Sequence, residues 1–263
     1  QLRLTTAIAN KNHRLQVTGS ADRGDNQKFD GGVIRSSEHD RDTVGVHYGF
    51  QNNGTELGLN VEHFDMGNTG TPTLPNDILY FRGENIKGNF TQSLSNGDSV
   101  TVKLHHQDIE HEMNNFSQRT NGLSAANRAR QIFAEVQAEA VGLQYQHQNW
   151  LFGVDLDQAE HNATIFNPNN TAFMIENFKD IERDRYSVFA EWEGAVSQAW
   201  NLETGIRYSR VEMDAGDAAV SGVPMGLQVL NANFNAEDRS KDENLIDLFA
   251  TFKHEYSKEL DIE

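Results

Sequence analysis

Short connections alternate with long polar ones along this chain, and the segments between them have every second side chain apolar. The segments are about 8–12 residues long, which is the length and periodicity of half-buried β-strands. Consecutive antiparallel strands joined in this way place every short turn at one end of a sheet and every long loop at the other. The short connections are residues 10–12, 51–55, 95–98, 146–149, 194–199 and 256–258. The long ones are residues 22–43, 65–85, 115–131, 165–184 and 214–244.

The alternation predicts a sheet with one apolar face and one polar face. The polar face carries opposite charges, for example Glu203 and Arg207, four residues apart on one segment. A soluble sandwich would place that face in solvent, whereas a wide barrel would place it in a water-filled or plugged lumen. The apolar face includes Val44, Val46, Leu57, Leu59, Val100, Val102, Phe152, Val154, Ile206, Tyr208, Leu248 and Phe252.

A transmembrane β-barrel explains the uneven connections, because such barrels have short periplasmic turns and long outer loops. The sequence is only 37 % hydrophobic and contains no run of about 18 apolar residues, which excludes a transmembrane helix. Trp150 and Trp200 each follow a short turn, where an indole ring fits the membrane interface. We therefore predict an all-β, antiparallel transmembrane β-barrel of about eleven strands. No helix is predicted, and residues 125–137 are interpreted as loop and then strand.

Composition narrows the functional classes. The chain has no Cys, which excludes disulfides, thiolate metal sites and a cysteine nucleophile. Its net charge of −17 argues against binding of nucleic acid, which needs a basic face. The acidic loops either keep the surface solvated or contact lipopolysaccharide through divalent cations. No Gly-x-Ser-x-Gly, His-Glu-x-x-His or phosphate-binding glycine loop is present, so we predict no enzyme activity and no cofactor.

The order of strands and loops resembles the barrel of a TonB-dependent outer-membrane receptor. The segments that support this are Leu-Gln-Val-Thr-Gly-Ser-Ala at 15–21, Asp-Arg-Tyr-Ser-Val-Phe-Ala-Glu-Trp at 184–192 and Leu-Glu-Thr-Gly-Ile-Arg-Tyr at 202–208. Two further stretches, residues 68–78 and 113–119, are similar to segments of the copper-receptor branch of this family. The resemblance extends over nearly the whole chain.

The resemblance implies a receptor in the outer membrane of a Gram-negative bacterium. Such receptors import a metal ion or a metal chelate, either copper or an iron-siderophore, and the TonB complex supplies energy through a plug domain. We expect residues 1–263 to be one partial β-barrel domain, about eleven strands of a larger, 22-stranded barrel. The plug domain, the TonB box and the C-terminal strands are not expected within this sequence. The expected partners are outer-membrane lipid, lipopolysaccharide, the TonB complex and a small metal chelate.

Four residues are candidate metal ligands. His63 with Met66, and His111 with Met113, each lie where a strand is predicted to enter an outer loop. Imidazole and thioether groups both suit copper, so the two pairs predict a copper site if their hairpins converge. Solvated His and packed Met side chains are the alternative. Carboxylates at Glu62, Asp108, Glu110 and Glu112 are alternative ligands for calcium or ferric iron. His105 and His106 point to opposite faces of a strand and are not expected to chelate a metal together.

Two other architectures fit parts of the pattern. A smaller outer-membrane barrel, acting as a channel or surface adhesin, predicts an even number of strands that close on themselves. A soluble β-sandwich that binds carbohydrate predicts that the face with Trp150 and Trp200 packs against a second sheet. The arrangement of the strands in space distinguishes all three.

Overall fold

A computed structural model describes residues 1–119, 129–257 and 260–262. Within these residues the chain is almost entirely β-strand, with one helix. In chain order the elements are β1 (Leu2–Ala9), β2 (His13–Gly24), β3 (Lys28–Phe29), β4 (Gly32–Val33), β5 (His39–Asn52), β6 (Thr55–Met66), β7 (Asp77–Ser93), β8 (Ser99–Asn114), β9 (Gln131–His147), β10 (Trp150–Phe166), β11 (Met174–Ala195), β12 (Trp200–Asp214), β13 (Val220–Ser221), α1 (Met225–Ala236), β14 (Lys241–Ser257) and β15 (Leu260–Ile262).

One antiparallel sheet contains all the long strands, in the order β1-β2-β5-β6-β7-β8-β9-β10-β11-β12-β14-β15, with β13 paired to β11. Each strand of this sheet contacts only its neighbours in that order, so the described residues form no second layer. This excludes the β-sandwich for this part of the chain. Among the same residues β1 pairs only with β2, so these strands do not close into a small barrel. The all-β antiparallel sheet of about eleven long strands is confirmed as part of a barrel.

The strands are staggered in a regular way. A line of directly paired residues starts at Ala9, the last residue of β1 beside a short turn, and crosses every neighbouring pair in turn. It ends at Leu245, near the start of β14 beside a long loop. The line therefore shifts from the short-turn end of the strands almost to the long-loop end as it crosses the sheet. Such a stagger tilts the strands relative to the sheet axis, as closure into a barrel requires.

The apolar face of the sheet is exposed. Val188, Ile206 and Leu248 are 52 %, 50 % and 73 % exposed, and their neighbours on this face resemble them. The buried apolar residues in the described part of the chain are Ala129, Ala159, Ala163, Phe173, Phe189 and Val223. A set this small cannot stabilise a sheet of this size by itself, so the apolar face needs a non-aqueous surrounding. The bilayer is that surrounding in an outer-membrane barrel.

The apolar band approaches the height of about 25 Å that is typical of outer-membrane barrels. On β12 it runs from Trp200 to Tyr208, which corresponds to about 27 Å along the strand and roughly 20 Å after a tilt of about 40°. Trp150 and Trp200 are the first residues of β10 and β12, and both rings are 43 % exposed on the apolar face. Both indoles therefore lie at the short-turn end of the band, where an interfacial girdle is expected.

The predicted order of short turns and long loops is confirmed, but several loops are shorter than predicted. Strand β7 begins at Asp77, inside the predicted loop 65–85, and β11 begins at Met174, inside the predicted loop 165–184. Beyond the lipid both faces meet water, so the hydrogen-bonded ladder continues where the apolar alternation has ended. Residues 120–128 of the predicted loop 115–131, and residue 258 of the predicted turn 256–258, lie outside the described residues.

The prediction of no helix was wrong. Helix α1 lies in the connection between β12 and β14 and begins directly after Pro224. Its sequence, MGLQVLNANFNA, is uncharged and has no buried residue, which leaves Met225 and Leu230 71 % and 63 % exposed. An uncharged segment with scattered Asn lacks the amphipathic spacing by which a helix is recognised from sequence. No helix among the described residues is long and apolar enough to cross a membrane.

Candidate functional site

Three of the four candidate metal ligands lie on the polar face of the sheet. On β8 the side chains alternate between the two faces, so His111 and Met113 lie on the polar face and Leu104 lies on the apolar face. On β6 the same alternation places Met66 on the polar face and His63 on the other. The Nδ1 atom of His63 lies 3.8 Å from a carboxylate oxygen of Glu84 on that second face. The sheet therefore brings Met66, His111 and Met113 to one face and separates His63 from them.

His111 is held beside an aromatic pair, beyond the apolar band. Phe81 on β7 pairs in register with both Met66 and His111. Its ring stacks on Phe64 at 5.4 Å and meets the His111 ring at 5.3 Å in a T-shaped contact. Burial lowers the pKa of His111 below its ordinary value of 6.5. Its Nε2 atom is buried and has no hydrogen-bond partner among the described residues.

A neutral imidazole with one unpartnered ring nitrogen is the form in which histidine binds a metal. Within the described residues, no three His, Asp or Glu side chains are grouped so that they could hold a metal ion. A metal site here would therefore depend on the thioethers of Met113 and Met66. Those are soft ligands, which select copper(I) over hard cations.

A buried ion pair, which we call the loop junction, fixes the outer loops above these ligands. Asp77 is 0 % exposed, and the Arg119 guanidinium donates to both of its oxygens, at 2.7 and 2.5 Å. Arg119 also donates to the carbonyls of Leu74 (2.7 Å) and Thr71 (3.1 Å). Burial acts to raise the pKa of Asp77, but the hydrogen bonds from Arg119 and Thr71, together with the Arg119 charge, outweigh it and lower this pKa below 3.8.

The loop junction also forms hydrogen bonds with the first outer loop, which connects β2 to β5. The Ser36 hydroxyl donates to the Gln118 carbonyl at 3.3 Å, and the Gly70 amide donates to the Glu38 carbonyl at 2.8 Å. A side chain at Gly70 would collide with the backbone of Ser36, so only glycine permits this approach. Three loops that are distant in sequence are thereby held together at the outer end of β6, β7 and β8.

Charged side chains on the polar face of β10, β11, β12 and β14 form ion pairs across the strands. Asp157 accepts a hydrogen bond from Arg185 at 2.6 Å, and Asp155 accepts one from Arg207 at 2.8 Å. The next pair along the sheet is Lys253 with Glu203, at 3.5 Å. This wall of the lumen is polar, and these three ion pairs link its strands.

The apolar face ends in a belt of acidic side chains, which we call the acidic belt. On β11 the apolar row ends at Tyr186 and is followed by Asp184 and Glu182; on β9 it ends at Val141 and is followed by Glu139. Three arginines lie in the same belt. The acidic members are Asp40, Asp42, Asp65, Glu84, Asp108, Glu110, Glu112, Glu135, Glu139, Glu160, Glu182, Asp184, Glu212, Asp214 and Asp242. The change from apolar to acidic side chains marks the outer boundary of the lipid.

Comparison with known proteins agrees with this geometry. A family model described as "TonB dependent receptor-like, beta-barrel" matches residues 19–244. The chain belongs to this family of TonB-dependent receptor barrels. Members of the family are transporters of the Gram-negative outer membrane and are not enzymes. No curated protein sequence matches the chain.

Solved structures of TonB-dependent receptors share the fold. "Copper transporter OprC" has a TM-score of 0.74 and 17 % identity over 97 % of this chain and 41 % of its own. The ferric-catecholate import receptor Fiu from E. coli K12 (open form) has a TM-score of 0.62 and 11 % identity, over 97 % of this chain and 50 % of its own. FpvA of P. aeruginosa, in complex with a heterologous pyoverdine and iron, has a TM-score of 0.63 and 9 % identity, over 97 % and 38 %. This receptor barrel therefore spans half or less of the length of these relatives.

The loop junction was not predicted as a site from the sequence of this receptor barrel. Asp77 and Arg119 are 42 residues apart, and neither belongs to a pattern with a fixed spacing. A partial signal existed, because the two stretches that resemble the copper-receptor branch, residues 68–78 and 113–119, contain these two residues. The ion pair joins those stretches directly. The separation of His105 from His106 is confirmed, since the His106 Nδ1 atom lies 3.2 Å from Glu139 on the outward face.

Proposed function

We propose that this chain is part of the barrel of an outer-membrane receptor that imports a metal ion or a metal chelate. The observation that supports it best is the division of a single-layer sheet into an exposed apolar band and a polar face with cross-strand ion pairs. TonB would supply the energy through a plug domain that fills the lumen. The barrel would lie in the outer membrane of a Gram-negative bacterium. A smaller channel or adhesin would need these strands to close on themselves, and within the described residues they do not.

Copper is the cargo that the polar face favours over an iron-siderophore. His111 and Met113 are two residues apart on one face of β8, and Met66 lies on that face two strands away. Imidazole and thioether are preferred ligands of copper, whereas ferric iron prefers oxygen. Of the similar structures, one is named as a copper transporter, and others are receptors for ferric chelates. The proposed site uses the three ligands on the polar face, and His63 as a metal ligand stays a prediction separate from it.

Single substitutions test the metal site, and His63 on the opposite face provides the control. We expect His111→Ala and Met113→Ala to weaken copper(I) binding to the purified receptor by about tenfold or more each, since each removes one soft ligand. His63→Ala removes an imidazole from the opposite face of the same hairpins and should change binding by less than about twofold. Copper(I) affinity is measured by competition with a chromogenic chelator in detergent.

The same variants also test the cargo in cells. Loss of TonB-dependent copper uptake in the His111 and Met113 variants, with uptake intact in the His63 variant, is the expected result. Equal copper affinity in all three variants would contradict a copper site at these residues. Uptake of a ferric siderophore that none of the three substitutions affects, with no copper uptake, would assign the receptor to an iron chelate instead.

Lipopolysaccharide is the proposed partner of the acidic belt. Its phosphates and the belt carboxylates are both anionic, so contact requires bridging divalent cations, which bind through oxygen ligands. Removing divalent cations with EDTA should release copurified lipopolysaccharide from the receptor, and magnesium should restore it. Retention of lipopolysaccharide in EDTA would contradict cation bridging.

A further inference from the structure

A groove, which we call the acyl groove, lies on the apolar face of the sheet at the outer end of the apolar band. It follows β2 at Gly19 and Ala21, which have little or no side chain. Its walls are formed by Leu2 and Leu4 on β1 and by Val44 on β5. The groove has a volume of about 310 Å³. Volumes of about 300–1,000 Å³ are typical of sites for small molecules.

The register of the first strands produces this groove. Leu4, Gly19 and Val44 are directly paired across β1, β2 and β5. The next row towards the outer end begins at Leu2 and continues through Ala21. The two walls are therefore two strand spacings apart, which is roughly 9–10 Å. A gap of this width, in which a single row of side chains is missing, fits one hydrocarbon chain.

The rest of a complete receptor would leave the acyl groove uncovered. Further barrel strands would extend the sheet at its two edges, beyond β1 and β15, and would lie in the same layer. A plug domain would lie against the polar face, on the other side of the sheet. The groove therefore meets lipid, as the rest of the apolar band does.

Gly19 is open in a way that another glycine of the apolar face, Gly88 on β7, is not. A Cβ atom at Gly88 would touch the side chain of Leu104, at 3.7 Å. At Gly19 the nearest atom to such a Cβ atom is the carbonyl oxygen of Thr43, at 3.9 Å, and no described side chain beyond its chain neighbours lies within 4 Å. The space above Gly19 is therefore left for a group from outside the chain.

The outer mouth of the acyl groove is charged. Arg23 follows Ala21 on the same face of β2, and its guanidinium donates a hydrogen bond to Asp42 at 2.7 Å. Asp42 is directly paired with Asp65 on β6, and two carboxylates in that position repel each other unless cations compensate them. An anionic head group that carries divalent cations matches this mouth, because the cations bridge to the carboxylates while Arg23 attracts the anion.

We propose that the acyl groove holds one acyl chain of lipopolysaccharide, whose phosphorylated head group lies at the acidic belt. The groove is at the outer end of the apolar band, in the leaflet that lipopolysaccharide forms, whereas phospholipid forms the other leaflet. Lipid tails are as apolar as the groove, so affinity comes from van der Waals contacts on three sides of the chain and from the ionic contacts of the head group. The inference rests on the proposed outer-membrane location and extends the proposed lipopolysaccharide contact from the belt to a site for one chain.

Lipid A, the acylated and phosphorylated anchor of lipopolysaccharide, is the probe. The full-length receptor is purified from outer membranes, freed of lipid in detergent and titrated with lipid A in the presence of magnesium. Native mass spectrometry counts the bound lipid A molecules and gives the affinity. We expect Gly19→Leu to weaken the tightest binding step by at least about fivefold, because the added side chain takes the place of the acyl chain.

The apolar face provides matched variants. Gly88→Leu adds the same side chain to the same face outside the groove and should change lipid A affinity by less than about twofold. Ala21→Leu fills the groove one row further out, so it keeps the test available if Gly19→Leu does not fold. Circular dichroism and heat-modifiable gel mobility show which variants are folded. Phosphatidylglycerol, an anionic phospholipid, should displace little lipid A when it is added at an equal concentration.

Two results would overturn the proposal. One is equal lipid A affinity in the groove-filling variants and in Gly88→Leu. The other is equal competition by phosphatidylglycerol, which would make the groove a contact for any bilayer lipid. Release of lipid A by EDTA, together with equal affinity in all variants, would leave the cation-bridged belt standing while the groove fails. None of these measurements depends on copper or on uptake, so failure of the groove and failure of the proposed transport function are distinguishable.

Discussion

Two regions of the polar face differ in how many of their charged side chains form ion pairs. On β10, β11, β12 and β14 each acidic side chain of the polar face named above has a basic partner on another strand, as in the pair of Asp155 on β10 with Arg207 on β12. On β7 and β8, Lys87 and Lys103 have none among the described residues. Glu191 and Asp247 on the same strands form no ion pair among the described residues, so the pairs link these strands without compensating every charge. The lysines of β7 and β8 instead present their charge to the lumen with no partner among the described residues.

The loop junction contains the most deeply buried ion pair of those described above, and breaking it should have the largest effect on stability. Arg119→Ala leaves the buried Asp77 carboxylate without a counter-charge and should cost about 3 kcal/mol, the low end for a buried pair because Arg119 is partly exposed. The loss should be local, and it is measured by hydrogen exchange of the amides in residues 67–78. Arg82→Ala, which breaks an exposed pair with Glu110, is the control and should have a much smaller effect.

The loop junction should also respond to pH. The folded-state pKa of Asp77 is lowered, so its ionised form stabilises the junction at pH values above the unfolded carboxyl pKa of about 3.9. That stability is lost as the pH falls below this value and through the lowered pKa. Hydrogen exchange of residues 67–78, followed from neutral pH downward, should show increased opening only in this acidic range. Asp77→Asn should remove the pH dependence; a dependence that persists would contradict the assignment to Asp77.

Within the lumen wall, removing one member of a pair should cost less than at the junction. Arg207→Gln leaves Asp155, which is partly exposed, and should reduce the free energy of unfolding by about 1 kcal/mol. Urea unfolding in detergent micelles or lipid vesicles measures this loss. Arg207→Lys should recover part of it by restoring the charge. A loss as large as that of Arg119→Ala would mean that burial does not determine the cost of an unpaired charge here.

The smallest effect is expected in the unpaired region. Lys87→Gln/Lys103→Gln breaks no ion pair and relieves repulsion between neighbouring cations, so the free energy of unfolding should change by no more than about 0.5 kcal/mol. The same urea unfolding experiment measures it. A loss greater than that of Arg207→Gln would show that these lysines are structural and would remove the contrast between the two regions.

The strands could be predicted from sequence wherever one face of the sheet meets lipid and the other meets water. Segments such as Trp150 to Leu156 alternate because one face meets lipid, and their strands were predicted correctly. The outer parts of β7 and β11 were predicted as loop. Both faces of the sheet meet water there, so the side chains no longer alternate between apolar and polar although the strands continue. Helix α1 was missed for a related reason, since it buries no residue.

The candidate site was less accessible to sequence reasoning. Strand alternation could have separated His63 from Met66 at once, because a separation of three positions along a strand places two side chains on opposite faces. The alignment of Met66, Phe81 and His111 in one row depends on the register of three strands, which the sequence does not specify. The Asp77–Arg119 pair depends on the paths of two loops.

Adjacent residues on β9 allow the most direct test of the central claim, that one face of this sheet meets lipid and the other lines a polar lumen. These 263 residues contain no Cys, so Leu143→Cys and Gln144→Cys each add one site for a nitroxide label to this part of the receptor. Collision rates with oxygen and with a water-soluble nickel chelate are measured by electron paramagnetic resonance for the receptor in bilayers. We predict that the label at 143 collides preferentially with oxygen and the label at 144 with the nickel chelate. Equal access of the nickel chelate to both labels would contradict the assignment of the two faces.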